Sequence, residues 1–193
     1  MKNNIDIVSE LEKKKIIIDQ MIQKYIPKII DEKYLYFVHG KPRYKYNLEA
    51  HQKALIDPLW NLLDRGGKRW RPALFLLIAE ALGGDPDKVN DFVTIPEVIH
   101  NATLIHDDIE DRSELRRGKP CIHKIYGEDV AINVGDEFYF IPMLPVIKNK
   151  HKFSETTLIK IYETYLQEMI NITYGQAIDI AWHNGICNAN DIS

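Results

Sequence analysis

The chain has 193 residues, 25 of them basic and 28 acidic (net charge −3 with histidine neutral), with 45% apolar residues, 10 glycines and 9 prolines. These proportions are those of an ordinary globular protein and exclude a collagen, a disordered tail or a disulfide scaffold. The near-neutral balance argues against nucleic acid as the main partner, which calls for a strongly basic face, and the length fits one domain.

Helical periodicity dominates from the start. Ile5, Val8 and Leu11 open an apolar stripe that resumes at Ile18, Ile22, Tyr25, Ile26 and Ile29, and Pro27 is expected to end or kink that helix. Residues 39–47 read as a basic loop, and residues 1–47 as an N-terminal helix plus that loop. A second helix is predicted from Leu48 to Asp64, bent at Pro58 and stopped by Gly66 and Gly67. Pro72 then sits at a first-turn position of an apolar, buried helix over 73–82, closed by Gly83 and Gly84. Asp85 and Pro86 open another helix, interrupted near Pro96, and a further one covers 97–111. Gly118 and Pro120 mark a loop, and 129–140 is helical. Ser154 caps a long helix whose stripe runs from Leu158 through Ile161, Tyr165, Met169 and Thr173 to Ile180, with Gly185 as its stop. No segment alternates like a strand for more than a few residues, so the expected class is all-α.

Cys121 and Cys187 are too few for a disulfide framework and lack metal-ligand spacing, which fits a reduced, cytoplasmic setting. No run approaches the ~18 apolar residues of a membrane helix; the longest candidates are 73–79 and 138–147, the second broken by Pro142 and Pro145. Lys13, Lys14 and Lys15 interrupt any signal-peptide pattern early.

Four segments carry candidate chemistry. The sharpest runs from His100 to Asp111 (HNATLIHDDIED). Taking His100 as zero and ~100° per residue, Thr103 falls near ~300°, Asp107 near ~340° and Asp111 near ~20°, so these residues share one helix face. Carboxylates one turn apart repel by a few tenths of a kcal/mol. A divalent cation relieves that repulsion, and two carboxylates with waters and substrate phosphates is how Mg²⁺ is usually held. A solvated acidic helix end is the competing reading; Ca²⁺ in an EF-hand loop fits worse, because the sequence from Asp107 lacks the sixth-position glycine and the alternating oxygen ligands. Next come Arg116, Arg117, Gly118, Lys119 and Pro120, where guanidinium forks suited to phosphate stand just beyond the carboxylates. Upstream, Gly66-Gly67-Lys68-Arg69-Trp70-Arg71-Pro72 places three cations at a turn into a helix N-terminus, without the P-loop spacing. The fourth is Gly175-Gln176 followed by Asp179, with Gln176 and Asp179 on one helix face. For each of these last three, a solvated surface is the bland alternative.

In order, G-G-K-R-x-R-P, D-D-x-x-D, R-R-G-x-P and G-Q-x-x-D resemble the trans-prenyl diphosphate synthases, or polyprenyl synthetase family; 100–127 looks especially like geranylgeranyl diphosphate synthases. The resemblance covers 62–185. It implies an isoprenoid-synthase-like helical bundle around a central cavity and a Mg²⁺-dependent prenyltransferase that joins isopentenyl diphosphate to an allylic diphosphate. It implies that Asp107 and Asp111, supported by Asp108, hold Mg²⁺; that Arg116, Gln176 and Asp179 serve the allylic diphosphate; and that Lys68, Arg71, His100 and Arg117 hold isopentenyl diphosphate. Small residues at Ala102 and Thr103, five and four before Asp107, imply a deep pocket and a product of geranylgeranyl length or longer. Family members carry a second aspartate-rich motif and a Lys-Thr element downstream of G-Q-x-x-D; here only Asp191 follows Asp179 among acidic residues. The resemblance thus implies a single domain over 1–193 lacking the C-terminal helices, with motifs in 48–193. It also implies exposed apolar surface and a homodimer or a dimer with a full-length synthase. A catalytically incomplete fragment, a non-catalytic regulatory subunit and a terpene cyclase are the alternatives. The cyclase fits least, since it has no second diphosphate to hold.

Overall fold

The computed structural model describes residues 7–188; Ile5 and Asp191 lie outside the described residues. Apart from one two-residue antiparallel pair, the regular structure there is helical. The chain divides into two compact units, one ending at Lys148 and the other beginning at Asn149.

In the first unit, α1 (Ile7–Tyr25) buries Ile18, Ile22 and Tyr25, spaced four and three apart, and ends two residues before Pro27. Ile29, expected in the same stripe, is exposed, because the helix has already stopped and the period no longer applies. The sequence reading passed over α2 (Glu32–His39), which Asp31 caps by accepting from the Tyr34 amide and which Gly40 ends. Residues 41–47 are a loop, as expected.

The next helical run is α3 (Leu48–His51), a π-helical turn (Gln52–Ile56) and α4 (Asp57–Leu63). Pro58 sits just past the π turn, the wider winding accommodating a residue with no amide hydrogen. Gln52 ties this run to the break at Pro27: its Oε1 accepts from the Ile30 amide at 3.0 Å and its Nε2 donates to the Lys28 carbonyl at 2.9 Å. Leu59, Leu62 and Leu63 are each 1% exposed, a burial that contributes roughly 1.5–3 kcal/mol per side chain.

α5 (Trp70–Ala81) packs on α1 and on α7 (Thr94–Glu110). The apolar run from Ala73 does not make it a wholly buried helix: Pro72, Ala73 and Leu76 are buried, whereas Trp70, Leu74, Ile78 and Leu82 are exposed. Those four recur every four residues, so they form one face while the opposite face meets α1 and α7. Between α5 and α7 lie α6 (Pro86–Val89) and a 3₁₀ turn (Asn90–Val93). The interruption expected near Pro96 falls at that turn instead. Pro96 lies in the first turn of α7, where a missing amide hydrogen costs nothing.

α7 is the axis of the unit. Its inward face is Val98, Ala102 and Ile105, in the same buried cluster as Ala131, Val134 and Phe138 of α9 (Glu128–Phe140). Between the two helices run the strands β1 (Leu115–Arg116) and β2 (Lys119–Pro120), then the short α8 (Ile122–Tyr126). After α9 a 3₁₀ turn (Ile141–Met143) leads to α10 (Leu144–Lys148). The stretch Glu128–Lys148 is long and apolar enough to cross a membrane, contrary to the expectation from the sequence, but 56% of its most apolar window is buried in the core.

The second unit is a 3₁₀ turn (Lys150–Lys152) and α11 (Glu155–His183). Ser154 caps α11 by accepting from the Thr157 amide at 3.2 Å, and Gly185 follows its end with φ 66°. No residue of α11 is buried, and Ile159, Leu166, Ile170 and Tyr174 are exposed.

Candidate functional site: an anion pocket beside a carboxylate pair

Lys68, Arg71, His100 and Arg117, four residues expected to hold isopentenyl diphosphate, line one cleft of about 240 Å³ together with Gly67, Arg69, Trp70 and Glu97. Three separate segments meet here because of how each is shaped. Arg69 takes left-handed backbone geometry (φ 49°) at the N-cap of α5, which turns the chain between Lys68 and Arg71. His100 comes from the middle of α7. Arg117 and Gly118, with φ 53° and 74°, make the two-residue turn between β1 and β2, with Arg116 opposite Lys119; positive φ at both positions is what such a hairpin requires.

Two arginine–carbonyl bonds lock the loops together. Arg117 donates to the Gly66 carbonyl at 2.6 Å, and Arg65 donates to the Arg116 carbonyl at 3.0 Å. Gly67 has φ 147°, and a Cβ there would lie 3.5 Å from the Arg69 guanidinium and 3.8 Å from that of Arg117.

The middle cation of the glycine-turn motif faces inward. Arg69 is 6% exposed and donates to Glu97 Oε1 at 2.6 Å, to Asp19 Oδ1 at 3.1 Å and to the Leu63 carbonyl at 3.1 Å. Glu97, 4% exposed, also accepts from Asn101 Nδ2 at 3.1 Å. Arg65, Arg69 and Glu97 therefore build the pocket's frame. The sequence reading missed all three as frame residues; the nearest signal was a glutamate one turn before His100 on an otherwise inward face.

The other half of the site is the end of α7. Asp107 is half-buried, Asp108 is buried and Asp111 caps the helix in the open. Arg116 donates to Asp108 Oδ1 at 2.8 Å and to Asp107 Oδ2 at 3.0 Å. Asp108 also accepts from the Cys121 thiol, which burial and that bond push up to about 11, so the cysteine stays an unreactive thiol. Asp108 thus points into the fold and anchors Arg116, while Asp107 and Asp111 are left as the pair of accessible carboxylates. Burial, and after it the charge of Asp111, hold the Asp107 carboxyl above the ordinary aspartate range, with Arg116 opposing. Among the described residues no group of three or more His, Cys, Asp or Glu side chains is arranged to hold a metal. Two carboxylates one turn apart, their like charge only partly offset by Arg116, nevertheless fit a Mg²⁺ that takes its remaining ligands from water and phosphate.

Ala102 is 0% exposed within the core cluster, whereas Thr103 is half-buried and donates its hydroxyl to the His100 carbonyl at 2.8 Å. Gln176 and Asp179 lie three residues apart on α11, in the second unit, the first half-buried and the second exposed.

Burial, then the charge of Arg71, push the His100 imidazole below its usual value, with Glu97 opposing and Arg117 and Arg116 adding to the fall. The sign follows. A histidine with a lowered native pKa leaves native stability complete above its ordinary value of about 6.5, and stability is lost as pH falls toward the native value. An anion in this cleft would stabilise the imidazolium, raising that pKa and drawing in a proton. Calorimetric titration with inorganic pyrophosphate near neutral pH, in buffers of different ionisation enthalpy, is expected to show smaller proton uptake for His100→Gln than for the unaltered chain. Equal uptake would exclude His100 as the group that titrates.

Residues 52–192 match the Polyprenyl synthetase family. The chain is 37% identical over 131 residues to the short chain isoprenyl diphosphate synthase of Methanothermobacter thermautotrophicus, covering 67% of this chain and 39% of that protein. It is 38% identical over 149 residues to the geranylgeranyl diphosphate synthase of Methanosarcina mazei, covering 69% and 45%. The crystal structure of geranylgeranyl pyrophosphate synthetase from Pyrococcus horikoshii superposes with a TM-score of 0.73 at 28% identity, covering 92% of this chain and 47% of that one. The chain thus spans less than half the length of each of these relatives. With its all-helical isoprenoid-synthase fold and its matched motifs, the chain belongs to the polyprenyl synthetase family.

Proposed function

We propose that the chain carries the diphosphate-binding machinery of a Mg²⁺-dependent prenyltransferase that joins isopentenyl diphosphate to an allylic diphosphate, giving a product of geranylgeranyl length or longer. One observation carries this reading: Lys68, Arg71, His100 and Arg117, drawn from three separate segments, converge on one cleft. Arg116, the neighbour of Arg117, engages the carboxylates at the end of α7. Two anion sites joined at one turn suit a reaction between two diphosphates.

In this reading Lys68, Arg71 and Arg117 neutralise the diphosphate of isopentenyl diphosphate, and His100 takes up a proton beside it. Asp107 and Asp111 would hold Mg²⁺, which when bound stabilises the negative charge on a departing diphosphate. Gln176 and Asp179 are assigned to the allylic substrate. Arg116 bonds Asp107 and Asp108 and is placed to transfer hydrogen bonds to an incoming phosphate. The small Thr103, one turn before Asp107, leaves room for a long prenyl tail. The names of the Methanosarcina mazei and Pyrococcus horikoshii relatives support the geranylgeranyl assignment.

A second reading is a non-catalytic subunit or partial enzyme. It is favoured by the exposed apolar residues of α11, a helix with no buried residue. Association with a second chain, identical or full-length, belongs to either reading. A terpene cyclase leaves the Lys68–Arg71–Arg117 pocket without a use.

Incubation with Mg²⁺, farnesyl diphosphate and isopentenyl diphosphate, followed by chromatography of the lipids, separates the two readings. The enzyme reading expects a C20 or longer diphosphate, lost in Asp107→Ala. Binding of both substrates without product favours the subunit reading, and binding of neither overturns both.

A further inference from the structure

His106 stands between Ile105, which is buried in the core, and Asp107. Its ring crosses to α9 and meets three residues there. It lies over Gly135 so closely that a Cβ at that position would come within 2.7 Å of Cε1 and Nε2. It stacks on Tyr139 with ring centroids 5.2 Å apart and planes inclined by 20°. Its Nδ1 is 3.3 Å from the Tyr139 hydroxyl, and its Nε2 is 3.3 Å from Asp136 Oδ1. Burial and the charges of Glu110 and Asp136 push the Tyr139 hydroxyl up to about 12, so it keeps its proton and can donate to Nδ1, leaving Nε2–H for Asp136.

A plain apolar side chain at this position would fill the space without preferring one rotation of the helix. An imidazole held at both nitrogens and over one face does prefer one. The constraint acts beside the last turn of α7, whose Asp107, Asp108 and Ile109 carbonyls accept from the Asp111, Ser113 and Arg112 amides; those bonds close the helix end, and side-chain contacts with α9 are what set its rotation. That is the turn that presents Asp107 and Asp111. We propose that His106 is a positioning residue for the cation-binding carboxylates: its three-point seat on Gly135, Asp136 and Tyr139 sets the rotation of the α7 terminus and so the direction in which Asp107 and Asp111 aim. This rests on the Mg²⁺–diphosphate reading above. Carboxylates held to within a few tenths of an ångström are what a shared cation site needs.

The test is calorimetric titration of the full chain with inorganic pyrophosphate at a series of Mg²⁺ concentrations, at a temperature where every variant is folded. Isopentenyl diphosphate titrated without Mg²⁺ reports on the other pocket. His106→Leu and Gly135→Ala are expected to weaken Mg²⁺-dependent pyrophosphate binding by about 10-fold or more, in the range found when groups supporting metal ligands are removed, and to raise the Mg²⁺ needed for half-saturation. Isopentenyl diphosphate binding should stay unchanged. His106→Gln, which keeps a donor for Asp136, should recover part of the loss. Should His106→Leu not fold, Gly135→Ala and Tyr139→Phe decide alone. Unchanged pyrophosphate affinity and Mg²⁺ dependence in the folded variants would overturn the positioning role and leave His106 as packing. No Mg²⁺-dependent binding by the unaltered chain would overturn this role together with the prenyl-transfer reading.

Discussion

Arg69→Ala is expected to lower unfolding free energy by about 3–5 kcal/mol, because it leaves a buried carboxylate without its partner. Glu97 is 4% exposed, and its closest cation is the Arg69 guanidinium at 2.6 Å. The same substitution frees the Leu63 carbonyl and removes the bond to Asp19. Urea denaturation of the full chain measures the loss. The double variant Arg69→Met/Glu97→Gln should recover much of it, since a neutral pair requires no desolvated charge. A loss under about 1 kcal/mol would mean that water reaches Glu97 and that the buried ion pair contributes no more than a surface one.

The second large effect separates Ala102 from Thr103. Ala102 is 0% exposed in the cluster between α7 and its neighbours, so Ala102→Phe inserts a ring into a filled core, costing typically about 1–3 kcal/mol and on occasion more. Thr103→Phe acts on the half-open face shared with Asp107 and gives up one hydroxyl bond to the His100 carbonyl. Its stability cost should stay below about 1.5 kcal/mol, the usual scale of a single hydrogen bond. Urea midpoints for the two variants test the split. Under the proposed prenyl-transfer function, Thr103→Phe is expected to shorten the product, whereas Ala102→Phe reduces the amount of folded protein first. Equal destabilisation by both would show that Thr103 faces the core as Ala102 does.

The carboxylate face of α7 was legible because helical period is a local property: Asp107 and Asp111 need only one turn of helix to converge. That Lys68, Arg71, His100 and Arg117 line one cleft was legible only through the family resemblance, since no local rule brings these segments together. The inward turn of Arg69 was hidden for a related reason. In a run of three cations, sequence does not say which one finds a buried partner 28 residues away in Glu97. α5 was misread because an apolar run reports how much surface can be buried and not how many sides have neighbours. α2 was passed over because its short, aromatic-rich segment has only one buried residue, Leu35, to mark a period. The position of Pro96 shows the remaining ambiguity: a proline reads as a break from sequence, yet in a first turn it is compatible with the helix it begins.

The hairpin turn after β1 has a consequence for how the two halves of the site could move. Arg116 and Arg117 are adjacent, so their α-carbons stand about 3.8 Å apart whatever the bundle does around them. One side chain is tied to the aspartates and the other to the glycine loop. A shift of that one hairpin would therefore move the backbone anchors of both guanidinium groups together, so the carboxylate end of α7 and the glycine loop are mechanically yoked through two consecutive residues.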